Sequence, residues 1–136
     1  MTPVRFPYVE RTPGQGRTSL APLLPLRLSL GSQSLSVLAL VDSGASLNVL
    51  PLGIGLQLGA QWDQQTVEVP LAGTLSGIPA RGLLLTGTVA SFSPTQLVFA
   101  WAASDQMPII LGQTNFFAEF DICFFRDRSI FEIRPK

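Results

Sequence analysis

The stretch LALVDSGASLNVL, residues 38–50, decides how the chain is read. An apolar run, Leu38 to Val41, ends in the ionisable Asp42 and is followed at once by Ser43, Gly44, Ala45 and Ser46. A carboxylate at the end of a core-like strand is costly unless it accepts hydrogen bonds, shares a proton or stays neutral. A tight Ser-Gly-Ala turn offers backbone N–H groups for that purpose, and Gly44 lets the chain fold back closely. The plainer reading is an Asx turn, in which Asp42 caps the strand through its own backbone. D-S-G by itself turns up by chance in roughly a few per cent of chains this long, so on the tripeptide alone the turn reading stands ahead.

Upstream, PLRLSL places Leu26, Leu28 and Leu30 on one face at period two, and SLSVLALV begins with alternation and then becomes apolar on both faces, as an interior strand does. Downstream, TVEVPLAGTLSGIPARGLLLTGTV reads as a hairpin with a glycine-bearing tip near residues 71–78, and TQLVFAWAA as another buried strand. Phe116, Phe117 and Phe120 are spaced for one face of a short helix. ICFF, a turn at Asp127-Arg128 and SIFEI predict a terminal hairpin, with FRDR a solvated turn. A one-turn helix around Ile54–Leu58 is set against Gly53, Gly55 and Gly59, which disfavour it. Residues 1–20, with Pro3, Pro7, Pro13, Gly14 and Gly16, read as an extended arm, and residues 21–136 as one domain. The class is mainly β, a closed or partly closed barrel.

Composition narrows the chemistry by what it lacks. With no His, the Ser-His-Asp triad, the Cys-His pair and His-ligated metals are gone, and one Cys rules out a thiolate zinc site within one chain. No phosphate-cradling glycine motif occurs; for an enzyme, the nine carboxylates are then the first acid–base groups to consider. No metal or cofactor is expected. Zero net charge without a basic stripe argues against nucleic acid and membrane as partners. The most apolar region, 20–41, is broken by Pro22, Pro25, Arg27 and Gly31, far from the ~18 uninterrupted residues of a spanning helix. A soluble, cytoplasmic protein is the expectation, and the single Cys123, read as a buried inert thiol, fits a reducing compartment. Hydrophobic residues make up 46% and charged ones 13%, against about 25% charged in an ordinary domain. Part of that apolar excess is expected to be covered by a second copy. Trp62 and Trp101 read as core or interface packing.

ALVDSGAS, followed much later by IILG (Ile109–Gly112) and a short helix, resembles the retroviral-type, or retropepsin-like, aspartic proteases. The resemblance spans roughly residues 24–135 and includes a glycine-containing hairpin at the spacing of the family's flap. It implies a closed β-barrel half, an acid-protease lobe with one short C-terminal helix, assembling as a C2 homodimer. It also implies an endopeptidase acting on extended peptide or protein substrates. Asp42 matches the catalytic aspartate, and Ser43 the hydroxyl residue that braces the two loops across the dimer. Gly44 and Ala45, with Ser46 beside them, match positions where substrate backbone passes. Leu71, Gly73, Leu75 and Gly77 are flap candidates, whose plain alternative is an ordinary hairpin tip. Ile110, Leu111 and Gly112 match the supporting loop.

The family's chemistry needs two aspartates a hydrogen bond apart, sharing one proton. No second D-[ST]-G occurs here, since Asp63, Asp105, Asp121 and Asp127 are followed by Gln, Gln, Ile and Arg. One chain then supplies half a site. Two positions depart from the family pattern: Ser46 and Gln113 stand where many members carry an acid and a base. Losing both leaves no unpaired charge, but it removes an ion pair that braces dimer and substrate. A non-catalytic dimerisation or peptide-binding module on the same fold is therefore the competing reading. A fainter third is an unrelated barrel with a capping Asp. RFPYV and SIFEI are the segments through which terminal strands would interleave in a dimer.

Overall fold

The alternation at Leu24, Leu26 and Leu28 puts three leucines on one side of β4 (Leu23–Leu30), all of them buried. The same period-two logic builds most of the chain. The computed structural model describes residues 2–11 and 19–136. The middle of the expected arm, 12–18, thus lies outside the described residues. The rest of the arm forms β1 (Val4–Pro7), β2 (Val9–Arg11) and the start of β3 (Ser19–Ala21). There follow β5 (Gln33–Val41), β6 (Asn48–Leu50), α1 (Leu52–Gln57), β7 (Ala80–Thr88), β8 (Thr95–Ala102), β9 (Ile110–Leu111), α2 (Phe116–Glu119), β10 (Phe120–Phe125) and β11 (Ile130–Pro135).

Six strands close a barrel in the order β4-β5-β9-β6-β8-β7, beside a terminal sheet β1-β11-β10 and the pair β2-β3. The main core runs through both units and includes Trp101, Phe99, Phe116, Phe131 and Ile133, each fully enclosed. Each such side chain contributes about 1.5–3 kcal/mol on burial. A smaller cluster, with Val49, Leu71, Ala100 and Met107, lies to one side. Among the described residues no helix is long and apolar enough to cross a membrane.

Three local expectations change. The helix over the Phe cluster is only four residues long, and Phe120 opens β10 instead. All the same, Phe116 and Phe120 stack, with ring centroids 4.8 Å apart. The second half of β5 is interior in its hydrogen bonding, flanked by β4 and β9, but Leu38 is 53% exposed because no layer among the described residues covers the outer face there. Leu84 and Val98, a cross-strand pair on β7 and β8, are also half exposed. Cys123 is exposed rather than buried, since it lies on the outer face of the terminal sheet.

The helix α1 survives its glycines through distant support. Asp105 Oδ1 accepts the Gly53 N–H at 2.7 Å, and the Trp101 indole N–H donates to the Leu52 carbonyl at 3.1 Å. Gly55 faces the Trp101 ring, where a Cβ would sit 2.3 Å from two ring atoms. Gly55→Ala gains up to about 1 kcal/mol of helix propensity but overpacks a rigid buried indole, at about 1–3 kcal/mol or more. The clash prevails. Denaturant unfolding should show net destabilisation of about 2 kcal/mol, with a red-shifted Trp emission.

Candidate active site

Asp42 follows the last residue of β5, and the short β9 threads between β5 and β6. It runs parallel to β5 (Val41↔Leu111) and antiparallel to β6 (Val49↔Ile110). This crossing brings the loops 42–47 and 112–115 face to face. Their hydrogen bonds are reciprocal: Asp42 N–H to Leu111 O at 3.0 Å, Gln113 N–H to Ala45 O at 2.9 Å, and Thr114 N–H to Ser46 O at 2.8 Å. Gly112 sits where a Cβ would lie 2.5 Å from Leu47 O and 2.9 Å from Ala45 O, so only glycine lets the loops approach this closely.

The Asp42 carboxylate is partly exposed. Its Oδ1 accepts the Gly44 N–H at 2.9 Å, while Ala45 N–H returns to the Asp42 carbonyl at 3.1 Å. That is the Asx turn of the plainer reading. The turn is real, but it does not decide between a cap and a reactive group. What surrounds it is more telling. Ser43, Gly44 and Ser46 are exposed, while Leu111 and Gly112 are buried beneath them.

One residue essential to this arrangement has no signal in the motif. Asn48 is 1% exposed and uses its whole amide. Oδ1 accepts the Gly112 N–H at 2.8 Å, and Nδ2 donates to Val98 O at 3.0 Å and to Asn115 Oδ1 at 2.9 Å. Asn115 Oδ1 in turn accepts the Val98 N–H at 2.9 Å. An amide inside the apolar run SLNVL is the only hint the sequence offers, and its partners lie 50 to 67 residues away. Gln113, the uncharged replacement noted above, donates its side-chain N–H to Ser43 O at 2.7 Å. A neutral hydrogen bond thus links the supporting loop to the Asp42 loop.

The expected hairpin overhangs this floor. Its arms meet through Val69 N–H to Ala80 O at 2.9 Å and Gly82 N–H to Val67 O at 2.8 Å, and a 3₁₀ turn, Gly73–Leu75, forms the tip. Gly73 and Gly77 have φ of +64° and +89°, values that favour glycine. At its root, Arg81 donates to Trp62 O at 2.7 Å and lies over the Trp62 ring at 4.6 Å. Trp62 meets Trp101 edge to face.

Between floor and hairpin lies a cleft of about 210 Å³. Gly44, Ala45 and Ser46 line it from the loop, Val49 and Ile110 from the strands, and Leu71, Gly73 and Leu75 from the hairpin. Gly77 is not part of it. That residue faces a larger groove, about 820 Å³, together with Trp62, Glu68 and Arg81. The larger groove holds no residue of the Asp42 loop, so the smaller cleft is the candidate site. Among the described residues, no three His, Cys, Asp or Glu side chains converge to hold a metal.

The fold is retropepsin-like. A retropepsin-like aspartic protease from Rickettsia conorii matches it with a TM-score of 0.57 at 12% identity, over 98% of this chain and 94% of that one. The retroviral protease-like domain of Ddi1 from Leishmania major matches with a TM-score of 0.54 at 13% identity, over 85% and 94%. No protein-family model matches the sequence, and no curated protein is similar to it. The architecture is therefore shared.

Proposed function

We propose that this chain is one half of a homodimeric aspartic endopeptidase, with Asp42 of each copy meeting at a twofold axis. The observation that carries the reading is the placement of Asp42. A partly exposed carboxylate is held by the Gly44 N–H on a loop cross-bonded to the 112–115 loop, beside an apolar cleft roofed by a hairpin. Two such carboxylates in contact cannot both ionise comfortably and share one proton. The ionised one takes a proton from a water as it attacks the scissile carbonyl carbon. The protonated one donates to the carbonyl oxygen. Collapse of the tetrahedral intermediate returns a proton to the leaving amine. The exposed Gly44 and the half-buried Ala45 leave room for an extended backbone, and Val49, Leu71, Leu75 and Ile110 favour apolar side chains beside the bond.

A second reading, a peptide-binding module that does not cleave, is favoured by the uncharged Ser46 and Gln113 and by a hairpin tip without an aromatic residue. Incubating the protein with a diverse peptide library at about pH 4 to 7 separates the two. Cleavage between apolar residues, blocked by a statine-type inhibitor, is the expected result. Peptides retained intact at every pH would leave only the binding module.

A further inference from the structure

We infer that the outer face of the hairpin is a second peptide-binding site, taking an extended segment that carries a basic residue and adding it as a strand beside Glu68. The site lies apart from Asp42. It stands or falls independently of the endopeptidase reading.

The hairpin has two faces because its arms pair. Glu68 and Arg81 form an antiparallel bridge, so their side chains share a face, and Pro70 and Pro79, two positions further along, share it with them. Val69, Leu71, Ile78 and Ala80 take the other face, where they pack with Val49, Ala100 and Met107. That inner face is filled. The outer one is not: with Trp62 at the Arg81 end and Gly77 at the tip, it lines the groove of about 820 Å³.

The edge beside this face is open as well. The arms are joined by Val69 N–H to Ala80 O at 2.9 Å and Gly82 N–H to Val67 O at 2.8 Å, bonds that straddle the Glu68–Arg81 pair. A pair enclosed in this way is of the non-hydrogen-bonded kind, and its own N–H and C=O groups point away from the opposite strand. On the Arg81 side they point to β8, whose register sets Trp101 opposite. On the Glu68 side, among the described residues, neither the N–H nor the C=O has a backbone partner. An extended segment laid there, at the usual spacing of about 4.8 Å, would take up both.

Charge selects the segment. Arg81 is already engaged: it donates to Trp62 O at 2.7 Å, lies over the Trp62 ring at 4.6 Å and stands 4.0 Å from Asp63 Oδ1. Glu68 is exposed and has no cationic partner among the described residues. The groove therefore carries unanswered negative charge, to which the fully exposed Asp63 adds. A Lys or Arg opposite Glu68 answers it as a cross-strand pair. A charge and a proline on an edge also guard it against indiscriminate pairing. Here they act by sorting. Pro70 offers no N–H beyond Glu68, and pairing of the arm with itself in its central register would set Glu68 against Glu68. A second copy is thus a poorer occupant than a segment of opposite charge.

The test uses the full chain with Asp42→Asn, which keeps a probe intact. The probe is the capped, dye-labelled hexapeptide Thr-Val-Lys-Val-Thr-Val, followed by fluorescence anisotropy at low salt. Saturable binding is expected. Glu68→Lys, a surface change, should weaken it at least about fivefold at unchanged thermal stability, and should bind a probe with Glu in place of Lys at least about fivefold better than the natural carboxylate does. Methylating the probe's backbone nitrogens at alternate positions should abolish binding for one parity and spare it for the other, since only one set of N–H groups faces the edge. Binding indifferent to Glu68→Lys, or equally sensitive to both methylation patterns, overturns the site, as does a failure to saturate at millimolar probe. A chain that self-associates and releases its second copy as the probe binds gives the edge to that copy, and overturns the proposed occupant. None of these results bears on Asp42, which cleavage alone tests.

Discussion

Asp42→Asn should leave the protein folded and its assembly unchanged, and lower kcat/KM for peptide cleavage by at least about 10³-fold, the scale of lost general acid–base catalysis. The fold survives because asparagine matches aspartate in size and its Oδ1 still accepts the Gly44 N–H, now 2.9 Å from Asp42 Oδ1. The side chain is partly exposed, so the added NH₂ group can meet water. Catalysis does not survive, because an amide neither ionises to activate water nor shares a proton with its mate. In a homodimer the change strikes both members of the pair at once. The decisive measurement compares turnover of a cleaved library peptide by the two proteins at equal dimer concentration, with circular dichroism and sedimentation as controls. Undiminished turnover would end the aspartic-protease reading.

Asn48→Ala should cost about 2–4 kcal/mol of stability, a fall of roughly 10 °C in Tm for a domain of this size. The side chain is enclosed, and truncation strands the Gly112 N–H and the Val98 carbonyl without partners. The Asn115 amide oxygen keeps only its bond from the Val98 N–H. Calorimetry of the variant beside Asn48→Asp separates hydrogen bonding from packing. The carboxylate keeps the volume but turns two donors into acceptors aimed at Val98 O and Asn115 Oδ1, so it should be at least as damaging. If Asn48→Asp is neutral, the amide network is not what holds Gly112 against the Asp42 loop. Both variants should also reduce peptidase activity beyond the loss of folded protein, because Gly112 and Asp42 are positioned by the same crossing.

Elements whose causes are local were legible in the chain. The leucine alternation of β4, the run TQLVFAWA of β8, the terminal hairpin and the glycine-bearing overhang appear where period and turn chemistry put them. The D-S-G-A and I-L-G pair led to the retropepsin-like fold, which the matched crystal structures share. Of the four flap candidates, Leu71, Gly73 and Leu75 line the smaller cleft and Gly77 lines the larger groove.

By itself the sequence determined β4, β5, β7 and β8 of the barrel, the Asp42 turn and the exclusion of histidine chemistry, because each depends on residue type or on neighbours a few positions away. Only the tertiary structure decided that Asn48 is the buried support of Gly112, that Leu38 and Cys123 face outward, and that Phe120 belongs to a strand. Those outcomes depend on which distant segment arrives alongside: β9 between β5 and β6, and β11 along one side of β10. Burial and hydrogen-bond satisfaction are properties of such meetings, and no window of sequence contains both parties.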